Sequence, residues 1–192
     1  ITGIKNKKNQ HYVIYVIIGT IPAAAFGLFV KIFILDLIEN IFVVAISFFI
    51  TGLFLFMTKK IKIKSFPISS KIAILIGLSQ AIAVFPGISR SGITIVTALY
   101  LGLCKEEATK FSFFLAIPII LGAGILTFID QKSLILVANQ PSFFALASIS
   151  SFVAGLIFLS FLLNVIRKNN FYLFSYYCFF ASALSLAIFI LK

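Results

Sequence analysis

The chain has 192 residues, of which 61% are hydrophobic and 11% are charged, and its formal net charge is +11. Soluble domains are roughly half apolar and a quarter charged, so this composition excludes an ordinary soluble domain and predicts one integral membrane domain over residues 1–192. The positive charge does not indicate nucleic-acid binding, because lysines clustered between apolar segments are typical of a membrane-topology signal. The clustered lysines are Lys59, Lys60, Lys62, Lys64 and Lys71.

Five segments are long and apolar enough to cross a bilayer, which requires about 20 residues. Two of them lie within residues 12–57 and three within residues 111–191. The sequence therefore predicts an all-α polytopic membrane protein. Its two cysteines, Cys104 and Cys178, have no metal-site spacing, so we interpret both as small apolar residues.

Residues 72–103 differ from these spans, because they contain two shorter apolar runs, 72–85 and 93–103. Runs of about 10–14 residues are typical of re-entrant segments, which enter the membrane and return to the same side. The sequence therefore predicts a re-entrant helix–loop–helix. The alternative is an ordinary loop between two short spans.

The segment that separates the two runs reads PGISRSG, residues 86–92. Pro86 lacks an amide hydrogen and restricts the residue before it, so we expect it to end the first half-helix. Gly87 and Gly92 tolerate backbone conformations that other residues avoid, so we expect them to permit a tight reversal.

The charged residues favour the re-entrant interpretation. If residues 72–103 return to their own side, the N-terminal lysines, the lysine cluster, residues 104–110 and the RKNN segment at 167–170 all lie on the cytoplasmic side. A full crossing would place the RKNN segment outside. Three tyrosines would then lie near the inner interface, as aromatic-belt residues do. They are Tyr172, Tyr176 and Tyr177.

Arg90 lies in the middle of this hairpin, where a charge is costly and normally faces a polar cavity with a partner. The carboxylates of the chain all fall at predicted surfaces, so an anionic ligand is the expected partner of the arginine. Those carboxylates are Asp36, Glu39, Glu106, Glu107 and Asp130. The alternative is that Arg90 extends from a shallow loop to the lipid headgroups.

The residues around Arg90 favour a phosphate as that anion. We expect Ser91 to cap the second half-helix and to leave free N–H groups that bind an anion together with the helix dipole. The arginine adds a planar fork for two phosphate oxygens, and Ser89 and Thr94 add hydroxyl groups. The expected free N–H groups are those of Gly92, Ile93 and Thr94.

The sequence GLSQAIAVFPGISRSGITI, followed by EATKFSFFLAIPIILGAGIL, resembles the undecaprenyl-pyrophosphate phosphatases of bacteria, also called bacitracin resistance proteins. The resemblance extends over essentially the whole chain. The second signature of that family has the form P-G-x-S-R-S-x-x-T. Its specified positions are filled here by Pro86, Gly87, Ser89, Arg90, Ser91 and Thr94.

The resemblance implies a hydrolase of the bacterial inner membrane that removes the terminal phosphate of a C55 isoprenyl pyrophosphate. This reaction recycles the lipid carrier for cell-wall synthesis. The implied fold has two inverted halves, each with one re-entrant hairpin and three spans, and a site that opens outward. The implied partners are the polyprenyl pyrophosphate and membrane lipids, and no nucleic acid.

Phosphoryl transfer needs positioning, charge neutralisation and a nucleophile, and we assign these roles to individual residues. Arg90 binds the pyrophosphate oxygens, Ser89 is the nucleophile or a leaving-group ligand, and Ser91 and Thr94 are supporting donors. From its position on the first half-helix, Gln80 either forms hydrogen bonds within the loop or lines the substrate site. The predicted substrate-binding residues are Gln80, Pro86, Gly87 and Gly92. Glutamates of the family's first signature would supply a base and would hold a divalent cation such as Mg²⁺.

This chain departs from the family pattern in two ways. The first signature, with its glutamates and a PISSTGH loop, is absent, so we expect one hairpin and one span to be missing from the N-terminal side. The segment SFPISS, residues 65–70, resembles the start of that loop, but it lacks the glutamates and the T-G-H that should follow, so it does not replace the signature. His11 is interpreted as a solvated loop residue and not as a catalytic one. Tyr177 is followed by Cys178, where the family carries arginine. Two alternatives to the phosphatase are a transporter or flippase for a phosphorylated lipid, and an inactive partial gene product.

Overall fold

The computed structural model describes residues 7–33, 40–61, 64–129, 135 and 137–191, and the regular elements within them are all helical. Five of the described helical segments are long and apolar enough to cross a membrane, which confirms the all-α polytopic membrane class. The helices are α1 (Lys7–Phe33), α2 (Ile41–Met57), α3 (Ser70–Ile82), α4 (Arg90–Tyr100), α5 (Lys105–Ile129), α6 (Pro141–Arg167) and α7 (Phe174–Leu191), with 3₁₀ turns at Thr58–Lys60 and Phe171–Leu173.

Helices α3 and α4 form a hairpin whose two ends meet. The backbone N–H of Phe66, before α3, donates to the carbonyl of Gly102, after α4, at 2.9 Å. The helices have 13 and 11 residues and are therefore about 20 Å and 17 Å long, whereas the hydrocarbon core is about 30 Å thick. Neither helix can cross a bilayer alone, and the chain leaves the hairpin beside the point where it entered.

The first half-helix ends earlier than the proline predicts. Helix α3 stops at Ile82, and the amides of Val84 and Phe85 bond to carbonyls three residues earlier. The expectation that Pro86 ends this helix is therefore wrong. The last helical turn tightens before the chain reaches the proline, as is common at helix C-termini.

Helices α1 and α3 run parallel and touch through glycine. A Cβ atom on Gly77 would collide with the backbone of Gly19, and a Cβ on Gly27 would lie 3.8 Å from Val84. Small residues at such crossings allow membrane helices to approach closely and to gain packing contacts. The crossing anchors the hairpin to the first span, and the fully buried side chain of Phe111 in α5 packs in the same core.

Helices α2 and α7 run antiparallel, and α2 packs against the loop of the hairpin. The Ser182 hydroxyl donates to the carbonyl of Ala45 at 2.7 Å. Further along, a Cβ on Gly52 would lie 2.7 Å from the ring of Phe179, so this ring lies flat against the glycine. The pair places one face of α2 next to the loop of the hairpin.

Basic residues gather at the end of the molecule where the hairpin begins and ends. The ammonium group of Lys59 lies 5.5 Å from the ring centre of Tyr172, and that of Lys105 donates to the carbonyl of Arg167 at 2.9 Å. We call this the basic end. Tyr172, one of the three tyrosines predicted for the aromatic belt, lies at this end. Five charged residues of the sequence predictions lie outside the described residues, namely Lys5, Asp36, Glu39, Lys62 and Asp130.

Candidate functional site

The loop of residues 83–89 reverses the chain between α3 and α4 and packs on α2. Gly87 has a φ of +94°, a conformation that side chains with a Cβ rarely adopt. A Cβ there would also lie 2.8 Å from the carbonyl oxygen of Val44. Glycine is therefore required at this position for both conformation and space, in agreement with its predicted part in the reversal.

The N-cap of α4 is Ser89, so the prediction that Ser91 caps this helix is wrong. Ser89 has an extended backbone, and its hydroxyl accepts a hydrogen bond from the Gly92 amide at 3.1 Å. Two of the amides predicted to be free are therefore occupied, because the Ile93 amide also donates to the Ser89 carbonyl at 2.9 Å. Both serines of the SRS sequence are suitable caps, and sequence alone does not decide where the helix begins.

Gly92 serves the cap rather than the reversal of the chain. It lies inside α4, and a Cβ on it would lie 2.8 Å from the hydroxyl oxygen of Ser89. The prediction that Gly92 permits the turn is therefore wrong. Its missing side chain makes room for the capping hydroxyl.

Thr51 of α2 holds the loop, and sequence reasoning missed it. Its hydroxyl donates to the carbonyl of Gly87 at 3.0 Å and accepts from the amide of Ser89 at 3.2 Å. A helix leaves four amides without intrahelical partners at its start, here those of residues 89–92. Thr51 and the Ser89 hydroxyl satisfy two of them. Within the described residues, the amides of Arg90 and Ser91 are left without a hydrogen-bond partner.

A cavity of about 410 Å³ lies against the start of α4. Its polar side is formed by the loop and the cap, and its apolar side by α2, α6 and the start of α7. The lining residues include Thr51, Gly87, Ser89, Ser91 and Gly92 on the first side, and Phe48, Leu55, Leu162, Phe171, Phe174, Tyr177 and Cys178 on the second.

Arg90 begins α4 but does not line this cavity. It is half-buried, and its side chain forms no ion pair with Glu106 or Glu107, the two acids among the described residues. Thr94 lies one helical turn further on and therefore shares a face of α4 with Arg90. Its hydroxyl lies 2.8 Å from the Arg90 carbonyl and 2.6 Å from the hydroxyl of Ser112 in α5. That face is turned towards α5, whereas Ser89 and Ser91 face the cavity.

The remaining predicted residues lie at different depths. Pro86 is exposed in the loop. Gln80 is 2% exposed, and neither atom of its amide group has a hydrogen-bond partner within the described part of the chain. Gln80 does not line the cavity at the start of α4. Buried side-chain amides normally form hydrogen bonds, so the amide group of Gln80 is an exception among the described residues.

The residues around the loop do not fit a divalent cation. Oxygen ligands from carboxylates are what Mg²⁺ prefers, and the cavity lining contains none. Glu106 and Glu107 lie in the first turn of α5 at the basic end, where Glu107 lines a separate cavity of about 1070 Å³ together with His11 and Lys110. The described residues contain no group of three or more potential ligands that could hold a metal ion.

Residues 2–184 match the family described as Bacitracin resistance protein BacA. The chain belongs to this family. It is similar to an undecaprenyl-diphosphatase of Caldicellulosiruptor bescii, with 39% identity over 100% of this chain and 74% of the relative. It is also similar to proteins of the same name from Korarchaeum cryptofilum, with 41% identity over 86% of this chain and 62% of the relative, and Thermosipho africanus, with 41% identity over 92% and 70%.

One residue of the cavity lining, Cys178, differs from what the family resemblance predicts. This residue stands where the resemblance predicts arginine, and it lines the same cavity as Ser89 with only 6% of its surface exposed. On the apolar side of the cavity, this protein therefore has a small, uncharged side chain in place of an arginine. The described cavity lining contains no cationic side chain, and Arg90 is the nearest arginine in sequence to its polar side.

Proposed function

We propose that this chain acts as an undecaprenyl-pyrophosphate phosphatase, which hydrolyses the terminal phosphate of a C55 isoprenyl pyrophosphate and so recycles the lipid carrier for cell-wall synthesis. The observation that carries the proposal is the start of α4. A serine-capped helix with two unpartnered amides opens on a cavity lined by hydroxyl groups. The family membership and the relatives, which are undecaprenyl-diphosphatases, support the same substrate.

The polar side of the cavity suits a pyrophosphate. The amides of Arg90 and Ser91 point along the helix axis, where the dipole favours a negative charge. The Ser91 hydroxyl adds a donor on the cavity side. Arg90 begins the same helix. In the proposal its side chain turns away from α5 to this N-terminus when the substrate binds, and its fork then binds two phosphate oxygens.

The apolar side of the cavity suits the isoprenyl chain. Phe48 and Leu55 of α2, together with Leu162 of α6, form walls without hydrogen-bonding groups. A binding site with one polar and one apolar side favours a ligand that has a charged head on a hydrocarbon tail. The cavity therefore favours a lipid pyrophosphate over inorganic pyrophosphate.

In the proposed reaction, the oxygen of water or of Ser89 gives its proton to a base and forms a bond to the terminal phosphorus while the bridging P–O bond breaks. The electron pair of that bond leaves with the lipid monophosphate. If Ser89 attacks, water then hydrolyses the resulting phosphoserine and releases the phosphate. Ser89 is placed either as this nucleophile or as a ligand of the bridging oxygen, since its hydroxyl lines the cavity and still carries a proton to donate. The residues described here bind and orient the substrate, because such transfers depend mainly on positioning and charge stabilisation.

A transporter of a phosphorylated lipid is the second candidate, since helix hairpins that end inside the membrane also occur in transporters. Vesicles containing the purified protein and fluorescent undecaprenyl pyrophosphate would separate the two. We expect phosphate release that depends on the protein, without protein-dependent movement of the lipid between leaflets. Lipid movement without phosphate release would contradict the proposal.

We also propose that the protein lies in the inner membrane with its basic end in the cytoplasm and the loop of the hairpin opening outward. The basic residues gathered at the two ends of the hairpin support this orientation, because cytoplasmic loops carry the excess of lysine and arginine. Single cysteines in place of Lys71 and Lys105, with Cys104 and Cys178 replaced, should both react in inverted vesicles and not in intact cells. Labelling from opposite sides would contradict the re-entrant arrangement.

A further inference from the structure

The hydroxyl of Thr51 behaves differently from those of three comparable threonines. Thr20, Thr109 and Thr127 each donate to the carbonyl four residues earlier in their own helix. This local bond is the usual choice of a threonine in a membrane helix. Thr51 instead donates to Gly87, 36 residues away in the chain. Its side chain is only 4% exposed, so the hydroxyl is committed to this contact.

One hydroxyl satisfies two backbone groups of the loop at once. The carbonyl of Gly87 accepts its proton, and the amide of Ser89 donates to its oxygen. A hydroxyl is both donor and acceptor, so it can bridge groups of opposite kind two residues apart. Backbone groups in an apolar environment must find partners inside the protein, and the loop therefore depends on this contact.

The contact with Thr51 also fixes the position of Ser89 at the end of the loop. Ser89 caps α4, lines the cavity and takes its backbone position from the bond to Thr51. Gly87 lies close against Val44 and Ser47 of α2, about two turns and one turn before Thr51. Helix α2 therefore supports the loop along about two turns, with Thr51 as its hydrogen-bonding group.

We propose that Thr51 is a positioning residue that holds the pyrophosphate-binding loop in its binding conformation through the Gly87 carbonyl and the Ser89 amide. This inference rests on the proposed function, because it assigns Thr51 to that same site. Thr51 does not touch the phosphorus in this account. It sets where the Ser89 hydroxyl and the free amides of Arg90 and Ser91 lie before the substrate arrives, which reduces the cost of ordering the loop on binding.

The test compares three variants by two measurements. Thr51→Val keeps the side-chain shape and removes the hydroxyl, Thr51→Ser keeps the hydroxyl, and Thr20→Val is the matched control, because the Thr20 hydroxyl serves only its own helix. Hydrogen exchange of the peptide covering residues 83–92 reports the loop. Titration with farnesyl pyrophosphate in detergent reports binding.

With Thr51→Val, we expect exchange to rise only in residues 83–92 and the dissociation constant for farnesyl pyrophosphate to increase about tenfold. Thr51→Ser and Thr20→Val should match the wild type in both measurements. Unchanged exchange, or faster loop exchange with unchanged affinity, would overturn the inference. A rise spread over the whole chain would assign Thr51 a general structural role instead.

Two further outcomes keep the proposals separate. If the wild-type chain does not bind farnesyl pyrophosphate, the proposed function is wrong, and the exchange measurement still decides whether Thr51 holds the loop. If Thr51→Val does not fold, hydrogen exchange of the wild-type protein decides whether Thr51 holds the loop. The Ser89 amide should then be protected to the same extent as amides inside α4, and rapid exchange at Ser89 would overturn the inference.

Discussion

Replacing Arg90 with lysine is expected to weaken binding of farnesyl pyrophosphate by about 10- to 100-fold. Hydrogen bonds to charged groups contribute about 1.5–3 kcal/mol each, and lysine cannot reproduce the two parallel bonds of the arginine fork. The positive charge is kept in this variant, so the loss isolates the geometry of the fork. The measurement is a titration of the purified chain in detergent, in parallel with its thermal unfolding.

The matched control for this variant is Arg167→Lys. Arg167 is an exposed arginine at the end of α6, on the basic end of the molecule. We expect this substitution to leave the affinity unchanged. If Arg90→Lys binds as tightly as the wild type, the side chain of Arg90 is a membrane anchor that extends to lipid headgroups, and its role in phosphate binding is wrong.

The second large effect is expected on turnover. The 192-residue chain should bind a polyprenyl pyrophosphate but release phosphate slowly, because no acid among the described residues lines the cavity beside Ser89. A serine or a water molecule needs a base to attack, and a positioned general base typically contributes about 10²–10⁴-fold. Phosphate release should be compared with that of the same chain extended by a segment that carries the family's first signature.

The two proteins should be assayed in excess Mg²⁺ and in a chelator. We expect the extended version to be faster by at least about 10²-fold and to respond to the chelator, as the family resemblance predicts for a metal-assisted reaction. Comparable rates from the two would contradict this account. They would place the base and any metal ligand within the 192 residues, and would make the assignment of these groups to the first family signature wrong.

The helical architecture could be predicted from the sequence because hydrophobicity and length alone decide it. Five apolar segments of about 20 residues must be helical in a bilayer, since every backbone group needs a partner within its own segment. The short runs before and after residue 86 likewise predict a hairpin, and the described ends of that hairpin meet at Phe66 and Gly102. These features depend on local composition, which a single sequence contains.

The details of the site could not be predicted because they depend on contacts between distant residues. Thr51 and Ser89 are 38 positions apart, and nothing in the sequence of α2 marks this threonine. The choice between Ser89 and Ser91 as the cap depends on where the loop stops, which Thr51 helps to fix. The inward position of Thr94 follows from its partner Ser112 in α5, which is again remote in sequence.

The most direct test of the central claim is hydrogen exchange of the wild-type chain with and without farnesyl pyrophosphate. The claim is that the N-terminus of α4 and the loop of residues 83–89 bind the pyrophosphate. We expect the ligand to slow exchange in peptides covering residues 83–92, with the amides of Arg90 and Ser91 most affected. Slower exchange confined to the basic end, around the cavity that contains His11 and Lys110, or no change anywhere, would contradict the claim.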